Sequence, residues 1–319
     1  MWSRSSPTMP ENNTLPETRK TPEDKLLNVF LRTLSSPQTV KTYNTELRMF
    51  LRYLARELGK GLEELTAEDI SLYREHIAGR YAPATAAKKL AALRRFLVFA
   101  YMGGATRVNP EAVKYFARSP RVHQDSSYNV LTPRELSRVL EAARRRSYRD
   151  YVMLAVMARC GLREAEVVGV RIGDFGEVDD GQVFLRVVGK GEKPRSVPVG
   201  RDLWELVQRF VLLSGRSFAS HADARKPLFV SRKGKDRPLT TRAVRYIVKK
   251  YVREAGITKA ISPHSIRHTA GTNMALNRAP LLVIQQFLGH SDPKTTMRYI
   301  RRAEELSSQA HTYNTLPLE

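Results

Sequence analysis

The chain has 319 residues, 42% of them hydrophobic, which is enough for about two domains with packed cores. Its 54 Lys and Arg residues outnumber its 32 Asp and Glu residues and give a formal net charge of +22 at pH 7. So large a positive charge favours a polyanionic partner, above all nucleic acid, because neutralised phosphates release their condensed counterions. The sequence contains no run of about 18 apolar residues, which argues against a membrane-spanning helix.

The cysteine content and the first residues indicate a reducing compartment. The single cysteine, Cys160, excludes an internal disulfide and suits a reducing cytosol. It lies in an apolar run, which predicts a buried structural thiol. Residues 1–20 are rich in Ser, Pro, Asn and Thr and lack the apolar stretch of a signal peptide, so we expect a disordered tail.

The first third of the chain shows helical periodicity, with apolar residues at three- and four-residue steps. Residues 36–37, Ser-Pro, predict an N-cap followed by proline at the first helical position. Thr66 opens a further helix, residues 83–102 predict a fourth, and residues 111–117 a short fifth. Residues 21–118 are therefore predicted to form a small all-α domain with basic edges.

A linker and a buried helix come next. Residues 119–129 are polar and unpatterned, which predicts an interdomain linker. Thr132, with Glu135 three residues later, predicts a capping box that starts a helix. The following segment, residues 149–160, is apolar nearly all round, so we expect a buried helix that Gly161 ends.

The clearest strand signal lies between residues 182 and 199, where Gly189-Lys190-Gly191 separates two β-favouring runs and predicts a hairpin. The second domain, residues 130–305, is thus expected to be mainly α with a small sheet. Residues 306–319 are expected to form a C-terminal tail. The remaining helices are predicted at residues 202–213, 240–255, 263–276, 281–288 and 294–299.

Four motifs in the second domain carry side chains suited to phosphodiester exchange without a metal. Such exchange needs a nucleophile that can later leave, cations on the non-bridging oxygens and a proton donor for the departing oxygen. Arg163 and Arg267 supply guanidiniums that grip two phosphate oxygens. His264 lies one helical turn before Arg267, so both share a helix face. Lys190, at the hairpin tip, can reach a leaving oxygen.

Tyr299 is the candidate nucleophile. A phenol has an ordinary pKa of about 10, and nearby positive charge favours its ionised form. His290 adds a further donor. Taken singly, each of these side chains is more often a capping, surface or core residue. Their order within a strongly basic chain favours a joint functional interpretation.

These motifs resemble, in order and spacing, those of the tyrosine recombinase and integrase family, from about residue 130 onward. The first, helical domain resembles the core-binding domain of that family only in general shape. The motifs that carry the resemblance are Gly-Leu-Arg-x-x-Glu at 161–166, Gly-Lys-Gly-x-Lys-x-Arg at 189–195, His-x-x-Arg-His at 264–268 and Leu-Gly-His-Ser at 288–291, with a tyrosine nine residues after the last histidine.

The resemblance implies a two-domain DNA clamp and a set of site residues. Lys193 is a rival for the role of the hairpin lysine. Basic residues predicted to contact DNA are Lys88, Lys89, Arg94, Arg95 and Arg195. The implied catalytic residues are Arg163, Lys190, His264, Arg267, His290 and the nucleophile Tyr299, supported by Glu166 and His268.

The resemblance also implies a transesterification without metal, ATP or other cofactor. Tyr299 would form a 3′-phosphotyrosine and free a 5′-hydroxyl, and the 5′-hydroxyl of a second duplex would then displace it by way of a Holliday junction. Four active sites on two duplexes imply a homotetramer on double-stranded DNA, with residues 301–319 docking on a neighbouring protomer. The sequence leaves open whether a partner protein activates cleavage. The expected location is the cytoplasm, at the nucleoid, with no membrane partner.

Several functions are compatible with this chemistry. Residues 1–20 are too short for a packed arm-binding domain, which favours a simple enzyme of the Xer group that resolves chromosome dimers. A simple mobile-element integrase stays an alternative. A type IB topoisomerase shares the nucleophile but relaxes supercoils, and the compact length and the Leu-Gly-His-Ser motif argue against it. A non-catalytic DNA-binding protein is disfavoured by the intact set of motifs.

Overall fold

The computed structural model describes residues 21–120, 129–177, 181–189, 194–231, 234 and 236–307. The predicted tail at residues 1–20, most of the predicted linker and the last twelve residues lie outside the described residues. The chain divides into two compact units, residues 1–124 and 125–319. Within the described residues, no helix combines the length and the apolar character needed to cross a bilayer.

The described part of the first unit is helical, as predicted. Its helices are α1 (Pro22–Arg32), α2 (Pro37–Glu57), α3 (Ala67–Ala78), α4 (Pro83–Met102) and α5 (Pro110–Phe116). The predicted caps are confirmed: the Ser36 side chain accepts the Thr39 amide, and Thr66 forms a capping box with Asp69. These local bonds satisfy amides that have no partner inside the helix, which fixes where α2 and α3 begin.

The core of the first unit is aromatic. The rings of Phe30 and Phe96 lie 5.4 Å apart between centroids, and those of Phe50 and Tyr73 lie 5.0 Å apart. All four side chains are at most 2% exposed. Aromatic pairs at these distances stabilise the core beyond their buried area, so α1 to α4 pack as one body.

Lys89 does not lie on an exposed basic edge, so its prediction as a DNA contact was wrong. It is only 7% exposed. Its Nζ forms an ion pair with Glu46 and lies 4.3 Å from the centroid of the Tyr81 ring. A cation that is buried and already neutralised is not available to a phosphate.

The second unit combines helices with one antiparallel sheet in the order β1-β2-β3. In the central register, Leu185 faces Phe175 on one side and Val197 on the other. The elements are α6 (Pro133–Arg146), α7 (Tyr148–Cys160), α8 (Glu164–Gly169), a 3-10 turn (Ile172–Asp174), β1 (Phe175–Glu177), β2 (Val183–Val188), β3 (Pro194–Val199), α9 (Arg201–Leu213), α10 (His221–Ala224), α11 (Thr241–Glu254), α12 (Pro263–Leu276), α13 (Leu281–Leu288) and α14 (Pro293–Ser307).

Helix α7 forms the centre of this unit. Residues 152–158 are at most 8% exposed, which agrees with the predicted all-round apolar helix. Cys160 is 1% exposed, and burial raises the pKa of its thiol to about 12. The thiolate is the reactive form, so this cysteine is an inert core residue, as expected.

The sequence missed three short elements and the length of one helix. β1, α8 and α10 contain three to six residues, too few to show a period. The last helix was predicted at residues 294–299, but α14 continues to Ser307. Ala303, four residues after Tyr299, is 6% exposed on the same face, so the charged residues between them mark the outer side of a continuing helix.

Candidate active site

Arg163 lies in the turn between α7 and α8. Gly161 has φ +59°, where glycine is favoured, and a Cβ there would lie 2.7 Å from Leu288 Cδ2. The backbone amide of Arg163 donates to Glu166 Oε2 at 2.8 Å, and its Nη1 donates to Oε1 at 2.6 Å. The turn therefore holds both the backbone and the guanidinium of Arg163 on one carboxylate, while 34% of the side chain stays exposed.

Glu166 is the buried anion of the site, with a side chain 4% exposed. Burial by itself raises the pKa of this carboxyl. Hydrogen bonds from Arg195 and from the Arg163 amide, together with the charges of both arginines, outweigh burial and hold the pKa at about 2. Glu166 is thus ionised at neutral pH and orients two guanidiniums.

Arg195 was predicted to contact DNA, but the structure places its side chain mostly inside the second unit. Its Nη1 and Nη2 each lie 2.9 Å from a Glu166 oxygen, and its Nε donates to the Phe287 carbonyl at 3.0 Å. Gly289, at φ +64°, leaves room for this side chain, because a Cβ there would lie 2.9 Å from Arg195 Cδ. With 11% of its side chain exposed, Arg195 joins β3 to α8 and α13 and is not a surface cation.

Arg267, on α12, is completely buried. Its Nη1 donates to the Gly161 carbonyl at 2.7 Å and lies 3.6 Å from Glu166 Oε2, and its Nη2 donates to the Leu288 carbonyl. Its Nε has no hydrogen-bond partner in the part of the chain that the structure describes. Burial, and then the charge of Arg163, lower the pKa of this guanidinium to about 10, so it stays a cation at neutral pH.

Tyr299, on α14, is 1% exposed. Its hydroxyl lies 2.9 Å from His268 Nδ1, and its ring stacks on that of His290 at 5.8 Å between centroids and 8° between planes. The ring also packs on α12 at Gly271, where a Cβ would lie 2.9 Å from Tyr299 Cε1. The tyrosine is therefore held by its hydrogen bond to His268 and by ring contacts with His290 and Gly271.

The three histidines near Tyr299 are neutral at pH 7. Burial is the main cause in each case, and neighbouring cations add to it. These effects lower the pKa of His268 to about 3 and that of His290 to about 4, and they also lower the pKa of His264. The rings of His264 and His268 meet edge to face at 4.2 Å, and His290 Nδ1 lies 3.0 Å from Thr296 Oγ1.

The structure gathers most of the predicted catalytic residues at the junction of α8, α12, α13 and α14. Lys190 and Lys193 lie outside the described residues. Arg94, in the first unit, donates to the Ala117 carbonyl at 2.7 Å and to Ser119 Oγ at 3.1 Å. The residues brought together are Arg163, Glu166, His264, Arg267, His268, His290 and Tyr299.

Sequence reasoning missed the small residues that shape the site. Gly271 and Thr296 contact Tyr299 and His290, respectively, and neither belongs to a charged motif. A glycine inside a helix is the signal that was available for Gly271, because such a residue commonly marks close packing. Among the described residues, no group of three His, Cys, Asp or Glu side chains is arranged to hold a metal ion.

Comparison with known families covers both units. Residues 129–305 match the Phage integrase family, and residues 27–104 match the Phage integrase, N-terminal SAM-like domain. The chain is 31% identical over 287 residues to the tyrosine recombinase XerC of Pelobacter propionicus, which covers 86% of this chain and 90% of that protein. It is 29% identical to the tyrosine recombinase XerD of Proteus mirabilis, over 91% and 90% of the two chains.

Solved structures share the fold. The XerH site-specific recombinase bound to difH substrate superposes with a TM-score of 0.64 at 22% identity, over 84% of this chain and 79% of that one. A lambda integrase tetramer bound to a Holliday junction superposes with a TM-score of 0.67 at 16% identity, over 87% and 75%.

Proposed function

Because the chain belongs to the phage integrase family and is a tyrosine recombinase, an enzyme that cleaves and rejoins DNA, we propose that it recombines specific sites through Tyr299. The observation that carries this proposal is the contact of Tyr299 with His268 and His290 beside the Arg163 and Arg267 guanidiniums. Tyr299 Oη attacks the scissile phosphorus, the bond to the 5′ oxygen breaks, and a 3′-phosphotyrosine forms. Attack by a 5′-hydroxyl reverses these bonds and releases the tyrosine.

The neutral imidazole of His268 positions the nucleophile. We propose that the phenol donates to His268 Nδ1, so the ring carries its own proton on Nε2. As the oxygen–phosphorus bond forms, the phenolic proton passes towards Nδ1. A protonated imidazole would instead donate to the phenol and compete with this transfer, which is why the neutral ring favours attack.

The cations stabilise the transition state, in which negative charge develops on the non-bridging oxygens. We assign the first contact to Arg163, since its side chain is the more exposed guanidinium. Arg267 is enclosed by the carbonyls of Gly161 and Leu288, so a direct contact with phosphate requires movement of α13 or of the turn after α7. His264 and His290 supply further donors, and Lys190 protonates the leaving 5′ oxygen.

We propose that four protomers assemble on two duplexes. The structures of related proteins on DNA, which include dimers and a tetramer, support this arrangement. An apolar groove of about 500 Å³ lies between α6 and α12 and is lined by Leu131, Leu136, Ala270 and Leu276. This groove is the proposed docking site for the residues that follow Ser307 in a neighbouring protomer.

The similarity to the XerC and XerD recombinases reported above extends over both units. On this basis we propose that the enzyme acts on chromosomal DNA at the nucleoid and resolves chromosome dimers. A mobile-element integrase of the same domain composition would use the same site, so the two roles differ in DNA target and not in chemistry.

The test of the proposed function is a nicked duplex that carries a candidate chromosomal site, incubated without metal or ATP. The nick lets the short fragment diffuse away and strands the covalent intermediate. We expect an SDS-resistant protein–DNA band that Tyr299→Phe abolishes and that the matched control Tyr115→Phe, at an exposed tyrosine, retains. An adduct that persists in Tyr299→Phe contradicts the assignment of the nucleophile. A change of linking number without a two-duplex product would indicate a topoisomerase.

A further inference from the structure

The imidazole of His290 is held at one ring nitrogen by the side chain of Thr296. His290 Nδ1 lies 3.0 Å from Thr296 Oγ1. Thr296 is 0% exposed and belongs to the first turn of α14, three residues before Tyr299. The ring of His290 also stacks on that of Tyr299. The helix that carries the proposed nucleophile therefore also carries a partner of the neighbouring histidine.

The backbone of His290 is fixed independently of this contact. Its amide donates to the Gln285 carbonyl at 3.1 Å, and its carbonyl accepts from Gln285 Nε2 at 3.0 Å. The carbonyl of the preceding residue, Gly289, accepts from Arg163 Nη2 at 3.4 Å. The backbone is thus held on both sides, and the freedom that remains to His290 lies in its ring, to which Thr296 bonds.

The hydroxyl of Thr296 has one hydrogen-bond partner in the part of the chain that the structure describes, and that partner is His290 Nδ1. Other helical threonines behave differently, because the hydroxyls of Thr42, Thr45 and Thr269 donate to the carbonyl four residues earlier. A hydroxyl that water cannot reach needs an acceptor for its hydrogen, since a buried donor without a partner lowers stability. The hydrogen of Thr296 therefore points to Nδ1.

The direction of this bond determines where the ring carries its own hydrogen. Burial, and then the charge of Arg267, lower the pKa of His290 to about 4, so the ring is neutral at pH 7. A neutral imidazole has one hydrogen, and the bond made by one nitrogen decides which nitrogen carries it. If Nδ1 accepts from Thr296, the hydrogen is on Nε2. Within the described residues, the side chain of His290 forms no other hydrogen bond, so Nε2 is available to a ligand.

We infer that Thr296 is a positioning residue whose hydroxyl holds His290 in the tautomer with hydrogen on Nε2, which makes this ring a donor to a non-bridging oxygen of the scissile phosphate. The inference rests on the proposed function and adds to it the residue that gives His290 its direction. In the other tautomer, Nδ1 would donate to Thr296, and Nε2 would present a lone pair to an anion. Thr296 itself contacts no reacting atom.

The first test measures the tautomer by NMR in the full chain, labelled with ¹⁵N at its 7 histidines, at pH 7 without DNA. Correlations between the ring nitrogens and the carbon-bound hydrogens distinguish the two tautomers, and the signals of His290 are those that His290→Gln removes. We expect the hydrogen on Nε2 and an accepting Nδ1. A wild-type ring with its hydrogen on Nδ1 would overturn the inference, whether or not the chain cleaves DNA.

The second test compares threonine variants in single-turnover formation of the covalent adduct. Thr296→Val keeps the branched shape and removes the hydroxyl, so it should slow cleavage by about tenfold. Thr296→Ser keeps the hydroxyl and should cleave at close to the wild-type rate. The matched control is Thr295→Val, because the hydroxyl of this adjacent, partly exposed threonine forms no hydrogen bond within the described residues. It should cleave like wild type.

A double-mutant cycle with His290 separates positioning from a loss of packing. In a His290→Ala background, Thr296→Val should slow cleavage by less than about twofold, because the ring that Thr296 orients is gone. An equal loss in both backgrounds, or a wild-type rate in Thr296→Val, would overturn the inference. Thermal unfolding shows that the variants are folded. Failure of the wild-type chain to form an adduct, with the hydrogen of His290 on Nε2, would overturn the proposed function instead.

Discussion

Replacement of His268 isolates the contact that holds the proposed nucleophile. In His268→Ala, the hydroxyl of Tyr299 loses its 2.9 Å hydrogen bond to Nδ1 in a site where both residues are nearly enclosed, at 7% exposure for His268 and 1% for Tyr299. Removal of one partner of a buried hydrogen bond costs about 1–3 kcal/mol. If this cost is added in full to the activation free energy for attack by the phenol, cleavage slows by about 5- to 150-fold.

Two amide variants distinguish positioning from simple space filling. Asparagine puts its carbonyl oxygen near the place of Nδ1, whereas glutamine puts its oxygen near the place of Nε2. His268→Asn should therefore restore most of the cleavage lost in His268→Ala, and His268→Gln should restore little. His221→Ala, at an exposed histidine on α10, is the matched control and should cleave like wild type.

The assay is single-turnover formation of the covalent adduct on the nicked duplex, with DNA affinity measured separately. The pKa of His268 is about 3, so this residue should contribute no ionisation to the cleavage rate between pH 5 and 8. Thermal unfolding of each variant shows whether a rate loss follows from a loss of fold. Cleavage by His268→Ala at the wild-type rate, or equal defects in the asparagine and alanine variants, would refute the positioning role.

Two further predictions concern packing and pH. Gly271→Ala places a Cβ 2.9 Å from Tyr299 Cε1, so it should lower the free energy of unfolding by about 1–3 kcal/mol and reduce adduct formation, with DNA affinity unchanged. The control Gly169→Ala, whose Cβ has no atom within 4 Å, should change neither stability nor adduct formation. Chemical denaturation measures the stability of both variants, and the adduct assay measures their cleavage. Glu166 has a pKa lowered from 4.5 to about 2, so its ionisation stabilises the fold fully above pH 4.5, and that contribution is lost as pH falls towards 2. The difference in the free energy of unfolding between wild type and Glu166→Gln should therefore decrease as pH falls over that range, as chemical denaturation at each pH will measure. A difference that does not depend on pH would contradict the role of the carboxylate.

Local signals in the sequence predicted the helices well. The caps at Ser36 and Thr66 and the bounds of α4, α12 and α13 depend on residues three or four positions apart, which can be read directly from the chain. The predicted C-terminal end of α14 was wrong because the outer face of this helix is charged and its buried face is marked only by widely spaced residues.

Tertiary partners account for the errors in the predicted DNA contacts. Lys89 pairs with Glu46, 43 residues away, and Arg195 pairs with Glu166, 29 residues away. No spacing rule links such positions, so exposed and buried cations look alike in the sequence.

The bonds of Arg267 have a consequence for when the enzyme can act. This guanidinium joins the carbonyls of Gly161 and Leu288, which lie 106 residues before and 21 residues after it. The ends of α7 and α13 meet at this cation only when the second unit is complete, so a nascent or partly unfolded chain has no assembled centre. We therefore expect the proposed strand cleavage to require a completely folded second unit, whereas attraction to DNA by net charge does not.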